Sequence, residues 1–375
     1  MTGTFTILRA AAFALVCVAA GAFAVTPARA QAPAEGPLEL HFSHIGSEGT
    51  LYYISAEEYA RRVEAMSRGR IRIVLHPKSG LGGDAEVLKK MLKNEVDISI
   101  IGTPMSNVAG EFGVFEMPFL VRNRTHVRQF RDRIMKQYLH QAANAKGYQL
   151  LAMWELGFRH VLNNKRPVEG PGTLKGLKLR VPKGEWRIKM FKAYGVEPFP
   201  VEFKDVYAGI QRGELDGIES TLDLIYGANI HQVQQYLTLS YHLYTPGFLI
   251  MPKDRFQALP TSVRAILTKV GLEMQEWVLD KGERMDAEIV QKMGLKTNEA
   301  DRLAFTIQSL TIYKEYAQVP AQKALIKLIF ESDVNPLAID ALRGRGSFAA
   351  GAGSKGDDVR ADDAGTDAKN SWAPR

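Results

Sequence analysis

The chain has 375 residues, 46% hydrophobic and 24% charged, with a formal charge of +7. That balance excludes a fibrous or wholly disordered protein and leaves room for one large or two medium domains with a sizeable core. The mild positive excess, without a lysine and arginine block, is poor support for nucleic-acid binding but suits attraction of anionic solutes.

Residues 1–30 read as a secretory signal, because Arg9 precedes an apolar run over residues 10–25 and Ala28, Arg29 and Ala30 supply cleavage positions. The run is short for a membrane span, which needs about 20 apolar residues. The expectation is therefore a periplasmic protein, cleaved near Ala30 and not itself membrane-spanning, whose charge falls from +7 to +5 as Arg9 and Arg29 are lost. The single cysteine, Cys17, lies in this leader, so the mature chain offers no disulfide and no thiolate ligand. Lipidation of Cys17 is the alternative, though Leu15 and Val16 lack the small residue usual before a lipidated cysteine.

A strand is predicted over residues 38–42, then a loop with Gly46, Gly49 and Thr50. Ser55-Ala56-Glu57-Glu58 has the capping-box pattern and is expected to open a helix whose Tyr59, Val63 and Met66 keep helical spacing. A strand over 71–75, a helix over 84–93 and a strand over 96–101 follow, and this alternation predicts a parallel sheet covered by helices. Between them, the run from Gly80 to Ala85 matches G-x-G-x-x-A, which keeps an exported NAD(P)-dependent oxidoreductase as a competing reading. The lengthened turn His76-Pro77-Lys78-Ser79 before it favours a tight turn and helix start. His41 and His44, three apart on a strand, point to opposite faces, so no metal site is expected, and no cofactor. No GxSxG, HExxH or P-loop pattern supports an enzyme.

Residues 123–145 are polar and helical. The strand predicted over 148–153 is read as a crossing between domains that gives way to a polar, glycine-bearing turn at Trp154-Glu155-Leu156-Gly157-Phe158-Arg159. The stretch 174–220 is the candidate site. Leu177, Leu179 and Val181 share one strand face and Lys178 and Arg180 the other, and Pro182 ends the ladder. Arg180 thus sits at the carboxyl end of its strand, where open α/β sheets bind ligands. Gly184 caps a helix over 185–194, and a guanidinium beside a helix amino terminus suits an anion. The layout repeats with an extended 198–203, a helix over 205–212 closed by Gly213, and a strand over 215–218 that leaves Glu219 and Ser220 at its carboxyl end. Phe203 and Trp154 are candidates to wall a ligand, with plain core packing the alternative for either. Glu219, which would repel an acid, reads as a structural or hinge carboxylate, and Tyr207 reads as packing or cleft.

The runs LKGLKLRVP, EPFPVEFKDVY and GIQRGELDGIES, with SGLGGDAEVLKKMLKNEVDIS, WELGFRHVLNNKRP and YLTLSYH before GFLIMP, resemble the DctP-type solute-binding proteins of TRAP transporters. The resemblance spans roughly residues 40–332. It implies an α/β, two-domain periplasmic-binding-protein (Venus-flytrap) fold, with the helix predicted from 260 to about 293 spanning both domains. Domain I is expected over 31–153 and about 247–292, and domain II over 154–246 and about 293–343. The resemblance further implies that Arg180 clamps the carboxylate of a small organic acid, that Arg159 adds charge, and that Ser220 offers a hydroxyl where many relatives have asparagine. Delivery to TRAP membrane subunits would follow; a ligand-sensing subunit of a membrane receptor shares the fold and site. Residues 344–375, rich in Gly, Ala, Ser and Asp, are expected to be a disordered tail.

Overall fold

The computed structural model describes residues 36–332. The predicted leader with Cys17 and the predicted tail over 344–375 lie outside them.

The strands are β1 (Leu38–Ser43), β2 (Ile71–His76), β3 (Ile98–Ile101), β4 (Tyr148–Asn163), β5 (Lys178–Arg180), β6 (Glu197–Phe199), β7 (Gly217–Thr221), β8 (Tyr236–Leu239), β9 (Tyr244–Pro252) and β10 (Lys296–Glu299). They run in the order β2-β1-β3-β9-β4-β7-β5-β6, with β8 pairing β4 and β10 pairing β8. The expected parallel arrangement holds within β1, β2 and β3 and within β5, β6 and β7. The sheet as a whole is mixed, because β4 and β9 run antiparallel to each other and join the two parallel sets.

β4 corrects the sequence reading most. Instead of ending at Met153, it continues for 16 residues, pairing β9 from Tyr148 to Phe158 and β7 from Arg159 to Asn163. Gly157 lies at φ 108° where the β4–β9 register shifts, a bulge conformation that glycine adopts without steric cost. The polarity of this segment does not mark a surface turn, since Glu155 and Arg159 are both buried and ion-paired.

The first long helix starts at Leu51 with Thr50 as its cap, the hydroxyl accepting from Tyr53 N at 3.3 Å. Ser55, read as a cap, is buried inside that helix. β7 begins two residues later than expected, so Glu219 and Ser220 lie within it rather than beyond it. Gly217 makes this pairing possible: a Cβ there would stand 1.9 Å from the Leu162 carbonyl oxygen on β4. Gly217→Ala is expected to destabilise the protein by about 1–3 kcal/mol or more, the overpacking range, because backbone must move. Urea unfolding checks it.

The helix Thr261–Met293 has 33 residues, about 50 Å at 1.5 Å each. Leu267, Val270, Met274 and Val278 pack in the core with Leu151, Trp154 and Leu249, while Ile289 and Met293 pack with Leu162, Ile218 and Leu237. One helix therefore buries apolar surface against both halves of the sheet, and the expected two-lobed α/β fold with a spanning helix is observed.

Candidate functional site

The carboxyl ends of β5 and β7 meet the loops after β2 and β3 at a cleft with about 640 Å³ of space including its mouth. Arg180, Arg159, Ser220 and Phe203, four of the five residues singled out from the sequence, line it together. Trp154 does not. Its indole is 1% exposed in the core and donates from Nε1 to Gly271 O of the long helix at 2.8 Å, so the expected wall is a packing residue. Tyr207 lines a neighbouring groove instead.

Arg180 ends β5 with its side chain buried. Its Nε donates to Val201 O at 3.0 Å and its Cζ stands 5.5 Å from the centroid of the Phe203 ring, a cation–π contact. Among the described residues no carboxylate pairs with it, and its two terminal nitrogens make no hydrogen bond. Burial, and then the neighbouring Arg159, push its pKa down to about 10, which still leaves it charged at neutral pH.

Arg159 is committed differently. On β4, its Nε donates to Glu219 Oε2 at 2.6 Å and its Nη2 to Glu219 O at 2.9 Å, leaving Nη1 without a protein partner among the described residues. Glu219 is the hub that sequence reasoning recognised only as structural. Its other oxygen accepts from Nη1 of Arg187 at 2.7 Å, and His242 Nε2 lies 3.2 Å from Oε2. Burial alone would raise the Glu219 pKa, but Arg159 and Arg187 more than offset it and hold the carboxyl well below the usual range.

Arg187 was missed. It is fully buried on the helix Glu185–Ala193 and reaches across the cleft base, donating to Glu116 Oε2 at 2.9 Å and to Thr103 Oγ1 at 3.1 Å. Nothing local signals this, because its partners stand 71 and 84 residues away along the chain. Thr245, at the start of β9, and Asp84, the first residue of the helix Asp84–Met91 that follows β2, also line the cleft and were missed. The hydroxyls of Ser220 and Thr245 are buried without a hydrogen-bond partner. A buried unpaired hydroxyl is costly, so a polar group from outside the chain is the natural partner for both.

The G-x-G-x-x-A run forms a tight turn, with Gly82 at φ 115° and Gly80 N bonded to Pro77 O at 2.9 Å. A Cβ on Gly83 would stand 2.5 Å from Glu202 Oε2, so a carboxylate faces the loop where a dinucleotide would need to bring phosphates. Among the described residues no three His, Cys, Asp or Glu side chains converge as a metal ion would require, and no helix is long and apolar enough to cross a membrane.

A sheet of two parallel sets joined by antiparallel crossing strands, a helix along both, and a cationic cleft between them define a bilobed solute-binding protein. Residues 42–319 match the family model for bacterial extracellular solute-binding proteins, family 7, and the chain belongs to that family. It is 34% identical over 211 residues to a solute-binding protein of Verminephrobacter eiseniae, a match covering 56% of this chain and 63% of that protein. It is 26% identical to the 2,3-diketo-L-gulonate-binding periplasmic protein YiaO of Escherichia coli, covering 86% of this chain and 99% of that one. Among solved structures, a TRAP periplasmic solute-binding protein from Bordetella bronchiseptica, with density interpreted as pantoate, superposes with a TM-score of 0.74 at 31% identity, covering 79% of this chain and 100% of that one.

Proposed function

We propose that the protein captures a small organic acid in this cleft, without chemical turnover, and delivers it to the membrane subunits of a TRAP transporter from the periplasm. The observation that carries this reading is the buried guanidinium of Arg180, its terminal nitrogens unsatisfied, in one cleft with the unpartnered hydroxyls of Ser220 and Thr245. The planar fork of Arg180 matches a carboxylate through two parallel hydrogen bonds, Nη1 of Arg159 adds a third donor, and Ser220 adds a hydroxyl. Phe203 stacks under the clamp. Membership of a solute-binding family and the acids named for its relatives support the assignment.

Residues 36–153 and 247–292 would form one lobe and 154–246 and 293–332 the other, with β4 and β9 as the crossing strands about which they close. An acid that touches both lobes binds the closed form better and shifts the population toward it, which is what a carrier would read.

A thermal-shift screen against mono- and dicarboxylates, keto acids, sugar acids and aromatic acids tests the reading. A ligand at 100 times its Kd contributes about 2.7 kcal/mol of stability, an easily detected shift. If no acid raises the melting temperature, the proposal is wrong. Ser220→Ala supplies a second check: it removes an unsatisfied buried hydroxyl, so the ligand-free protein is expected to be no less stable. Carboxylate binding should weaken by about 1.5–3 kcal/mol, the scale of a hydrogen bond to a charged group. Calorimetry showing unchanged affinity would remove Ser220 from the site.

A further inference from the structure

The helix Arg302–Tyr316 is apolar on two faces. Phe305, Ile312 and Tyr316 are buried against the protein, while Leu303, Ile307 and Leu310 form a second stripe, at helical spacing, that is 52–69% exposed. Eight large apolar side chains are exposed among the described residues, and five of them lie between residues 303 and 330, so the exposure is concentrated in one region of the chain. Leu303 carries the stripe into a groove with about 510 Å³ of space including its mouth, lined also by Phe119, Arg122, Tyr241 and Arg302. Phe119 and Tyr241 hold φ at 60° and 48°, a conformation that bulky residues adopt only where the surrounding structure imposes it. The Arg122 guanidinium stands 5.4 Å from the centroid of the Phe330 ring, and Phe330 is followed by Glu331 and Ser332, where the described chain ends. Stripe, groove and the point where the chain leaves are therefore continuous.

We propose that the segment 333–343 turns back from the end of the helix Pro320–Glu331 and covers this groove and stripe with its own apolar side chains. Val334, Leu337, Ile339 and Leu342 crowd into residues 334–342, whereas residues 343–375 carry only Phe348, Val359 and Trp372 as large apolar residues. The segment is long enough. Ten extended residues reach about 33 Å, and the helix Arg302–Tyr316 is about 22 Å long. Charge fits as well: Arg302 stands 4.4 Å from the centroid of the Tyr241 ring with no ion pair among the described residues, and Asp340, between Ile339 and Leu342, supplies one. The contact lies beyond the family match, which ends at residue 319.

Paired cysteines in the full chain test the contact, with Cys17→Ser removing the single native thiol. Leu303→Cys or Ile307→Cys, each combined with Leu337→Cys, Ile339→Cys or Leu342→Cys, should give at least one pair that closes a disulfide within one chain on mild oxidation. A faster band on non-reducing electrophoresis reads it. Ala364→Cys in place of the segment's cysteine should not close. A second measurement needs no cross-link. Leu337→Ser, Ile339→Ser and Leu342→Ser together should lower the melting temperature by about 3 °C or more. Adding Leu303→Ser and Ile307→Ser should lower it little further, because both sets of side chains lose the same contact. All five positions lie on an exposed face or outside the described residues, and on bare surface such changes would be nearly neutral. The proposal requires both results, and absence of either overturns it. Disulfides that form only between two chains, with a dimer in sedimentation that Ile307→Ser dissolves, would give the stripe to a second copy and overturn it too.

Discussion

Replacing Arg180 by alanine is expected to weaken binding of the acid by about 2–5 kcal/mol, the range for truncating one partner of a buried charge pair, while leaving the ligand-free fold nearly as stable as before. The two halves of this expectation have separate causes. In the ligand-free protein the guanidinium makes one hydrogen bond, to Val201 O, worth about 1 kcal/mol. It also stands desolvated beside Arg159, and both effects lower its pKa, which means that folding already works against its charge. Loss of the bond and relief of the repulsion therefore nearly cancel. Arg180→Lys should recover part of the charge but not the fork, and so bind between alanine and the native residue. Calorimetry and urea unfolding on the same preparations decide the matter. A folded Arg180→Ala variant with native affinity would remove this side chain from the site, and a loss of several kcal/mol of stability would mark it as a structural residue.

What the sequence revealed and what it hid divide along the range of the interactions. Arg180 was legible because its placement is local: alternation through Leu177, Leu179 and Val181, a proline stop and a glycine-capped helix all lie within a dozen residues. The same holds for the second unit from 198 to 220, where only the two-residue shift of β7 escaped notice, its cause being the close approach of Gly217 to β4. Trp154 stayed open between cleft wall and core, and the structure gives the core, because what holds it is Gly271 O, 117 residues away. The crossing strand was cut short for a similar reason. Glu155 and Arg159 look like surface residues until Arg124 and Glu219 are brought beside them by the fold. Asp84 carries no local signal, because Arg159, Arg180 and Thr245, which line the cleft with it, come from distant parts of the chain.

Glu219→Gln is expected to cost about 3–5 kcal/mol of stability, the penalty for removing one partner from a buried ionic cluster. The native carboxylate faces two guanidinia, of Arg159 and Arg187, and the variant leaves both fully desolvated with only Glu116 to balance them. The pH dependence separates this account from simple loss of packing, because Gln is nearly the same size. The folded Glu219 pKa lies well below its ordinary value of 4.5, so its contribution is fully present above that ordinary value and is lost only as pH falls through the folded one. The native protein should accordingly lose stability from below about pH 4.5 into stronger acid, and Glu219→Gln should flatten part of that acid limb. Binding should weaken as well, since Arg159 loses the bidentate contact that aims its free Nη1 into the cleft. Urea unfolding between pH 3 and 8 measures both effects. A variant within about 1 kcal/mol of the native protein at pH 7, with the same acid limb, would show that the two guanidinia are held by something other than Glu219.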